Sequence, residues 1–232
     1  TALADIHFAP TDQNRDNLVR EGVPEENIFI TGNTVIDALL MVREKIAAEK
    51  KEFEVLRGID KKKIILVTGH RRESFGQGFI NLCGALKDIA LNNPDVDIVY
   101  PVHLNPRVRK PVYSLLGDLG NVKLLEPLDY EPFIFLLDSS YLVITDSGGI
   151  QEEAPSLGKP VLVTRDKTER PEALAAGGVM LVGTSRERIV SETQKILDDP
   201  DVYGRMSVVQ NPYGDGHACE RIADILIQRL RL

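Results

Sequence analysis

The amino-acid sequence predicts an α/β fold, a doubly wound parallel sheet of the Rossmann-like type. From residue 61 onward, short β-branched apolar runs alternate with stretches of helical period, and glycine or proline separates them. The apolar runs are continuous rather than alternating with polar residues, which is typical of strands buried on both faces. Strands that alternate with helices in this way form parallel sheets through right-handed crossovers.

This alternation predicts six strands and the helices that connect them. The strands are predicted over residues 64–68, 97–102, 122–125, 141–145, 160–164 and 179–182. The helices between them are predicted over residues 77–92, 106–116, 131–137, 150–157, 170–176 and 186–197. A turn-rich break at residues 211–216 precedes a final amphipathic helix over residues 218–230.

Residues 1–36 do not follow the strand–helix alternation seen from residue 61 onward. We predict a strand over residues 6–10, a helix that Thr11 caps and that runs through Arg20, and a strand over residues 28–32. So few elements cannot enclose a core. We therefore interpret residues 1–36 as the trailing strand and helix of a missing N-terminal domain plus the crossover, and the absence of an initial methionine agrees with this.

The rest of the chain then divides in two. Residues 37–212 form the main Rossmann-like domain, and residues 213–232 form a C-terminal helix that returns toward the N-terminal domain. Within the main domain, a long helix over residues 35–56 is dense in lysine and glutamate, and we predict that it is a solvated surface element.

Composition excludes several classes of function. The chain has 232 residues, of which 43% are hydrophobic, enough for a core. Its net charge of −7 disfavours nucleic acid and anionic membrane surfaces as partners, and no apolar run approaches the roughly 20 residues of a membrane span. Cys83 and Cys219 are far apart and the four histidines lack metal-ligand spacing, so we predict a cytoplasmic protein without a metal site.

Ligands of open parallel sheets bind beyond the carboxyl ends of the strands, and residues 68–78 follow the first predicted strand. Glycines there allow close backbone approach, while His70, Arg71 and Arg72 bring cations and donors to a helix N-terminus suited to phosphate. The spacing matches neither the dinucleotide fingerprint nor the P-loop. The alternative is a surface loop whose arginines pair with Glu73 and its neighbours.

A second loop, residues 145–154, turns directly from a predicted strand into a helix. Ser147, Gly148 and Gly149 offer a hydroxyl and backbone N–H groups to a diphosphate. Glu153, one turn further on, would lie on the same face as Gly149 and could bind a ribose diol through both oxygens. The alternative is that the loop only caps its helix.

Two further candidates follow later strands. Arg170 sits at the mouth of the same crevice and could bind a phosphate; at a helix start an arginine opposes the macrodipole, which favours a functional role. His103 follows the strand over residues 97–102 and is either a structural histidine or a ligand contact. We interpret His7 and His217 as structural or exposed.

Five motifs occur together and in order, and together they resemble one family. They are Gly69-His70-Arg71-Arg72-Glu73, Pro101-Val102-His103-Leu104-Asn105-Pro106, Asp146-Ser147-Gly148-Gly149-Ile150-Gln151-Glu152-Glu153, Thr168-Glu169-Arg170-Pro171-Glu172 and Asn211-Pro212-Tyr213-Gly214-Asp215-Gly216. From about residue 8 to its end, the chain resembles the non-hydrolysing UDP-N-acetylglucosamine 2-epimerases of bacteria and archaea. The resemblance implies two Rossmann-like domains in the B-type glycosyltransferase arrangement, of which this chain is the C-terminal, UDP-binding one.

The resemblance also implies roles for individual residues. The UDP part of the substrate would contact His70, Ser147, Gly148, Gly149, Glu153 and Arg170. Among these, His70 is the candidate catalytic residue, because it would help to stabilise the departing diphosphate. Leu128 and Phe133 match the stretch that flanks the uracil. Arg71 and His103 match residues that line a second, allosteric UDP-GlcNAc site in bacterial members.

The implied reaction interconverts UDP-GlcNAc and UDP-ManNAc, a precursor of surface polysaccharides. UDP is eliminated to give 2-acetamidoglucal and then adds back, with no redox cofactor and no metal. The carboxylates that move the C2 proton belong to the other domain of the family, so we expect this chain to be inactive alone and the full-length enzyme to be a homodimer. The alternatives are the nucleotide-binding domain of a B-type UDP-sugar glycosyltransferase, a hydrolysing relative that releases ManNAc and UDP, and a non-catalytic UDP-sugar-binding module.

Overall fold

The structure is a computed structural model that describes residues 3–59, 63–69, 71 and 76–230, apart from the side chain of Leu230. The strands of this part of the chain are β1 (His7–Ala9), β2 (Ile28–Ile30), β3 (Lys63–Thr68), β4 (Val96–Pro101), β5 (Val122–Leu125), β6 (Leu142–Thr145), β7 (Val161–Val163) and β8 (Val179–Leu181). The helices are α1 (Asp12–Arg20), α2 (Thr34–Glu49), α3 (Gln77–Asn92), α4 (Pro106–Leu116), α5 (Tyr130–Ser139), α6 (Gly148–Glu153), α7 (Pro171–Ala176), α8 (Arg186–Asp198), α9 (Pro200–Ser207) and α10 (Ala218–Leu230).

Strands β3 to β8 form one sheet in the order β5-β4-β3-β6-β7-β8, and every described pairing within it is parallel. The chain enters at the centre with β3, moves outward through β4 and β5, and then returns to the other side of β3 with β6. This order confirms the predicted doubly wound sheet. The connections leave the carboxyl ends of β3 and β6 in opposite directions, so a crevice opens between them.

The sheet is buried on both faces, as the continuous apolar runs predicted. In β3, Ile65 and Val67 join one apolar cluster, which includes residues of α3, α4 and α8. Ile64 and Leu66 point to the other cluster, which includes residues of α2 and α5. This two-sided burial fixes the strand ends that carry the polar loops.

The prediction of a solvated helix over residues 35–56 is wrong in two respects. Helix α2 ends at Glu49, because Lys50 adopts the left-handed conformation with φ of 47°. It also buries Ile36, Leu39 and Ile46, which recur along one face and belong to the same apolar cluster as residues of α5. The lysines and glutamates that suggested a solvated helix cluster in residues 44–54, at and beyond the C-terminal end of α2, whereas the buried apolar face begins in its first turn.

The helix predicted over residues 150–157 also differs in detail. Helix α6 begins two residues earlier, at Gly148, and the last predicted turn, Ala154–Leu157, is a 3-10 helix. Pro155 has no N–H to donate, which favours this change of winding.

Strands β1 and β2 form a separate two-stranded parallel sheet, with His7 opposite Ile28. The predicted capping of α1 is confirmed, since Thr11 Oγ1 accepts the backbone N–H of Asn14 at 3.2 Å. Helix α10 packs against α2 near this small sheet. Within the part of the chain that the structure describes, no helix combines the length and the apolar character that crossing a membrane would require.

Candidate functional site

The two polar loops singled out in the sequence meet at the centre of the sheet. Thr68 at the end of β3 pairs in register with Thr145 at the end of β6, and their Oγ1 atoms lie 2.6 Å apart. The backbone N–H of Ser147 donates to Thr145 Oγ1 at 2.9 Å. Both loops therefore start side by side, at the point where the connections diverge.

Hydrogen bonds hold the two described residues that follow β3, Gly69 and Arg71. The hydroxyl of Tyr100, which is fully buried, donates to the carbonyl oxygen of Gly69 at 2.8 Å. The backbone N–H of Arg71 donates to Asp146 Oδ2 at 2.8 Å, so Asp146 ties one loop to the other. His70, the predicted catalytic residue, lies outside the described residues, as do residues 72–75.

Two guanidinium groups converge on Gly148, the first residue of α6. A Cβ atom built on Gly148 would lie 3.6 Å from Arg71 Nη2 and 3.7 Å from Arg170 Nη2. The first turn of a helix also presents unpaired N–H groups and the positive end of the helix dipole. The arrangement suits a doubly charged anion such as a diphosphate.

Gly149, the next residue of α6, is exposed. A Cβ atom built on Gly149 would lie 3.9 Å from Ser147 Oγ and 3.9 Å from Glu153 Oε2. Gly149 and Glu153 therefore share one face of α6, as their spacing predicted, and the structure places Ser147 on the same side. A ligand can approach the backbone of Gly149 without meeting a side chain.

The carboxylate of Glu153 is 7% exposed, and one of its oxygens is already held. The hydroxyl of Tyr130 donates to Glu153 Oε1 at 3.3 Å. Burial raises the pKa of Glu153, and the hydrogen bond from Tyr130 opposes that rise. Oε2 makes no hydrogen bond to any residue that the structure describes, so it can accept one from a ligand hydroxyl on the Gly149 side.

Arg170 is placed differently from the expectation. It is the N-cap of α7, and Pro171 takes the first helical position, which proline favours. Nor does it stand alone, because its Nε donates to Oε1 of the buried Glu152 and its Nη1 donates to the carbonyl oxygen of Glu169 at 3.2 Å. These contacts compensate for an arginine at a helix start and leave Nη2 facing Gly148.

Asp146, Tyr130 and Glu152 are site residues whose roles the sequence did not reveal. Each acts through a contact with a residue distant in the chain. Two carboxylates in succession, Glu152 and Glu153, inside a helix next to a buried strand were the available signal, because such groups are buried only when paired.

The candidates still to be located are Leu128, Phe133, His103 and Arg71. Leu128 and Phe133 are half-buried and pack against the apolar cluster on the α2 and α5 side of the sheet. His103 is exposed, and its Nδ1 accepts the backbone N–H of Asn105 at 3.1 Å, a contact within its own loop. Arg71, which the resemblance assigns to a second site, lies with Arg170 at Gly148.

His7 is half-buried, whereas His217 is exposed with Nδ1 2.9 Å from Glu220. Across residues 3–59, 63–69, 71 and 76–230, no group of three or more histidine, cysteine, aspartate and glutamate side chains could hold a metal ion.

Comparison with known proteins places this chain in a family. The family model described as UDP-N-acetylglucosamine 2-epimerase matches residues 1–227. The UDP-N-acetylglucosamine 2-epimerase of Campylobacter jejuni is 59% identical over 234 residues, which cover 97% of this chain and 61% of that protein. This chain thus spans about 61% of the length of the curated relatives that it matches.

Solved structures agree. The crystal structure of UDP-GlcNAc 2-epimerase from Neisseria meningitidis bound to UDP-GlcNAc has a TM-score of 0.91 and 44% identity, covering 98% of this chain and 62% of that one. The wall teichoic acid polymerase TagF shares the fold alone, at 15% identity and a TM-score of 0.59 over 98% of this chain and 58% of that one. The chain belongs to the UDP-N-acetylglucosamine 2-epimerase family.

Proposed function

We propose that this chain binds the UDP part of UDP-GlcNAc, and that the whole protein is a non-hydrolysing UDP-GlcNAc 2-epimerase. The observation that carries the proposal is the convergence of Arg71 and Arg170 on Gly148, at the crevice between β3 and β6. Cationic groups that are already in place stabilise a diphosphate both when it is bound and when it departs as a leaving group. The Neisseria meningitidis relative, which is described as bound to UDP-GlcNAc, supports the choice of ligand.

The proposed contacts divide among the parts of UDP. Arg170, His70 and the turn of Ser147, Gly148 and Gly149 hold the diphosphate, and Arg71 adds its charge beside Arg170. Glu153 accepts hydrogen bonds from the ribose diol, which its unpaired Oε2 supports. Leu128 and Phe133 flank the uracil, in agreement with their half-buried apolar side chains.

The proposed reaction breaks the C1–O bond to UDP and removes the proton from C2, giving 2-acetamidoglucal and UDP. UDP then adds back to C1 while C2 gains a proton on the opposite face. Removing that proton requires a base. Each carboxylate described at the site has at least one oxygen engaged, since Asp146 accepts from Arg71, Glu152 from Arg170 and Glu153 from Tyr130, and the proposal assigns the other oxygen of Glu153 to the ribose. We therefore propose that the acid and base lie in the part of the relatives that this chain does not span.

The domain division is also a proposal. The separate β1–β2 sheet and the lack of any buried residue in α1 support assigning residues 1–36 to a second domain and its crossover. Two further predictions rest on the resemblance alone. One is that Arg71 and His103 line an allosteric site, and the other is that the full-length enzyme is a homodimer.

Calorimetric titration with UDP tests the proposed site. We expect Glu153→Ala and His70→Ala each to weaken UDP binding by about tenfold or more, because each removes a hydrogen bond to the ligand that involves a charged group. Glu44→Ala, which removes an exposed carboxylate on α2, is the matched control and should leave the affinity unchanged. Unchanged affinity in both site variants would refute the site.

Two further measurements sharpen this test. Because burial raises the pKa of Glu153, UDP affinity should decline as the pH falls through that raised value and the carboxylate is protonated.

In a coupled assay, the 232-residue chain should not convert UDP-GlcNAc to UDP-ManNAc, and full turnover by this chain would contradict the proposed division of roles.

A further inference from the structure

Glu152 is a buried charge whose two carboxylate oxygens are both engaged. The residue is 5% exposed. Oε1 accepts from Arg170 Nε, and Oε2 accepts from Asn33 Nδ2 at 2.5 Å. Burying a carboxylate is costly unless its oxygens are paired, so both partners are needed to hold Glu152 where it is.

On the first side of Glu152, the contact fixes the direction of a guanidinium group. Of the three nitrogens of Arg170, Nε is held by Glu152 and Nη1 by the carbonyl oxygen of Glu169. Nη2 is left to face Gly148, where the diphosphate is proposed to bind. An arginine that is held at two nitrogens loses less side-chain entropy when a ligand binds to the third.

On the second side, the contact reaches the crossover between β2 and α2. Asn33 is the N-cap of α2, where its Oδ1 accepts the backbone N–H of Val35 at 3.1 Å. Its own backbone N–H donates to the carbonyl oxygen of Tyr213 at 2.7 Å. Asn211 Nδ2 donates to the backbone oxygen of Glu152 at 2.7 Å, which adds a second link to the same turn.

A cavity of about 220 Å³ opens at this junction and is lined by Asn33, Glu152, Arg170, Glu172 and Tyr213, among others. The side chains of Glu152 and its two partners therefore have space beside them in which to reorient. The orientation of the Arg170 guanidinium group therefore depends on the hydrogen bonds of Glu152 and not on close packing alone.

We propose that Glu152 is a positioning residue, which orients Arg170 toward the diphosphate and couples that orientation to the crossover at Asn33. This inference rests on the proposed function, since it requires a diphosphate at Gly148. Glu152 acts through Arg170. A change at Asn33, in the crossover, should therefore alter diphosphate binding through Glu152.

Exchange of donor and acceptor between the two residues tests the coupling. Glu152→Gln keeps the shape but offers only one oxygen, so its amide NH2 meets another donor, from either Arg170 or Asn33. Asn33→Asp keeps a capping oxygen for α2 but sets two carboxylates against each other. In the double variant Glu152→Gln/Asn33→Asp, the introduced amide donates to the introduced carboxylate, and its oxygen again accepts from Arg170.

Binding of UDP and of uridine to the 232-residue chain separates positioning from general damage to the fold. We expect each single variant to weaken UDP binding by about tenfold, approaching the loss caused by Arg170→Ala, and the double variant to recover most of it. Uridine lacks phosphates, so its binding, followed by ligand-observed NMR, should be the same in all of these proteins.

Three results would overturn the inference. If the unaltered chain binds UDP and both single variants bind it equally well, Glu152 does not position Arg170. If uridine and UDP weaken in parallel, the variants disturb the fold rather than Arg170. If the unaltered chain does not bind UDP, the proposed function fails as well. Where Glu152→Gln does not fold, as judged by circular dichroism, Asn33→Asp and the double variant decide the question by the same readouts.

Discussion

The six-stranded sheet and the two-stranded sheet of this protein are stabilised in different ways. In the large sheet, Ile64 to Val67 of β3 are all buried, and apolar clusters cover both faces. In the small sheet, only Ala9 of β1 and Ile28 of β2 are buried, and α1 beside it buries no residue at all. Burial of apolar surface therefore accounts for the large sheet but not for the position of the small one.

Hydrogen bonds attach the small sheet to the rest of the molecule. Thr11 Oγ1 donates to Oε1 of Glu172, in α7, at 2.6 Å. From α10, Arg221 Nη1 donates to the carbonyl oxygen of Thr31 at 3.1 Å, and Arg229 donates to that of Glu26. The candidate site therefore has one side built on the buried large sheet and another side whose position depends on polar contacts.

Truncating one apolar side chain in each sheet should reveal the largest difference between the sheets, a difference in the free energy of unfolding that is lost. Leu66→Ala in β3 removes a side chain that is 0% exposed, and we expect it to lower the free energy of unfolding by about 2–5 kcal/mol. Ile30→Ala in β2, where the side chain is 43% exposed, should cost less than about 1 kcal/mol. Urea denaturation measures both, and equal losses would contradict the comparison.

A second change targets the attachment of α10. Asp37 in α2 is buried, and its carboxylate accepts the backbone N–H groups of Ala218 at 3.2 Å and Cys219 at 2.7 Å, so it caps α10 from another helix. Asp37→Ala should cost roughly 1–3 kcal/mol, because these two N–H groups lose their acceptor. Hydrogen exchange should accelerate at the start of α10 and in the small sheet, while β3 stays protected.

The thiol of Cys219 gives an independent readout of the same change. The hydrogen bond with Asp37 raises the pKa of Cys219, so Asp37→Ala should lower that pKa and speed reaction with a disulfide reagent. Cys83 does not interfere, because burial raises its pKa to about 12. Asp224→Ala, at an exposed position of α10, is the control, and equal reactivity in the two variants would argue against the cap.

The smallest effect should come from the surface pair that holds Arg221. Asp215 accepts from Arg221 at 2.8 and 2.6 Å, and this hydrogen bonding lowers the pKa of Asp215 to about 2. Since the folded pKa lies below the ordinary value of 3.8, the stabilisation is present above that value and is lost as the pH falls toward about 2. Because the pair is exposed, the effect should be local and weakened by salt.

Hydrogen exchange between pH 4 and pH 2 measures this loss in residues 28–32. The unaltered chain should lose protection there across that window, whereas Asp215→Asn should start with lower protection and change less. Protection that is equal in both proteins at pH 4 would show that Arg221 does not restrain the small sheet.

Local patterns account for what the sequence predicted well. The bounds of α3, α4 and α10 agree with the apolar period and the breaks around it, because these signals depend on near neighbours. The shared face of Gly149 and Glu153 is likewise set by one turn of α6. Helix α2 was mispredicted because the lysines and glutamates at and beyond its C-terminal end drew attention away from the apolar residues earlier in the helix.

Long-range contacts account for what the sequence left open. Asn33 and Glu152 are 119 residues apart, and Arg71 meets Asp146 across 75 residues. No spacing rule links such pairs, so the engagement of Arg170 by Glu152 and the convergence of two guanidinium groups on Gly148 could not be predicted.

Local signals are enough to predict that parallel strands alternate with helices and that glycine-rich polar loops follow two of the strands, because propensity, period and capping act over a few residues. That β3 and β6 are neighbours at the centre of the sheet, with their carboxyl ends side by side, is visible only in the assembled fold. Strand order follows from how whole faces bury against one another, and that is a property of the assembled chain rather than of any segment.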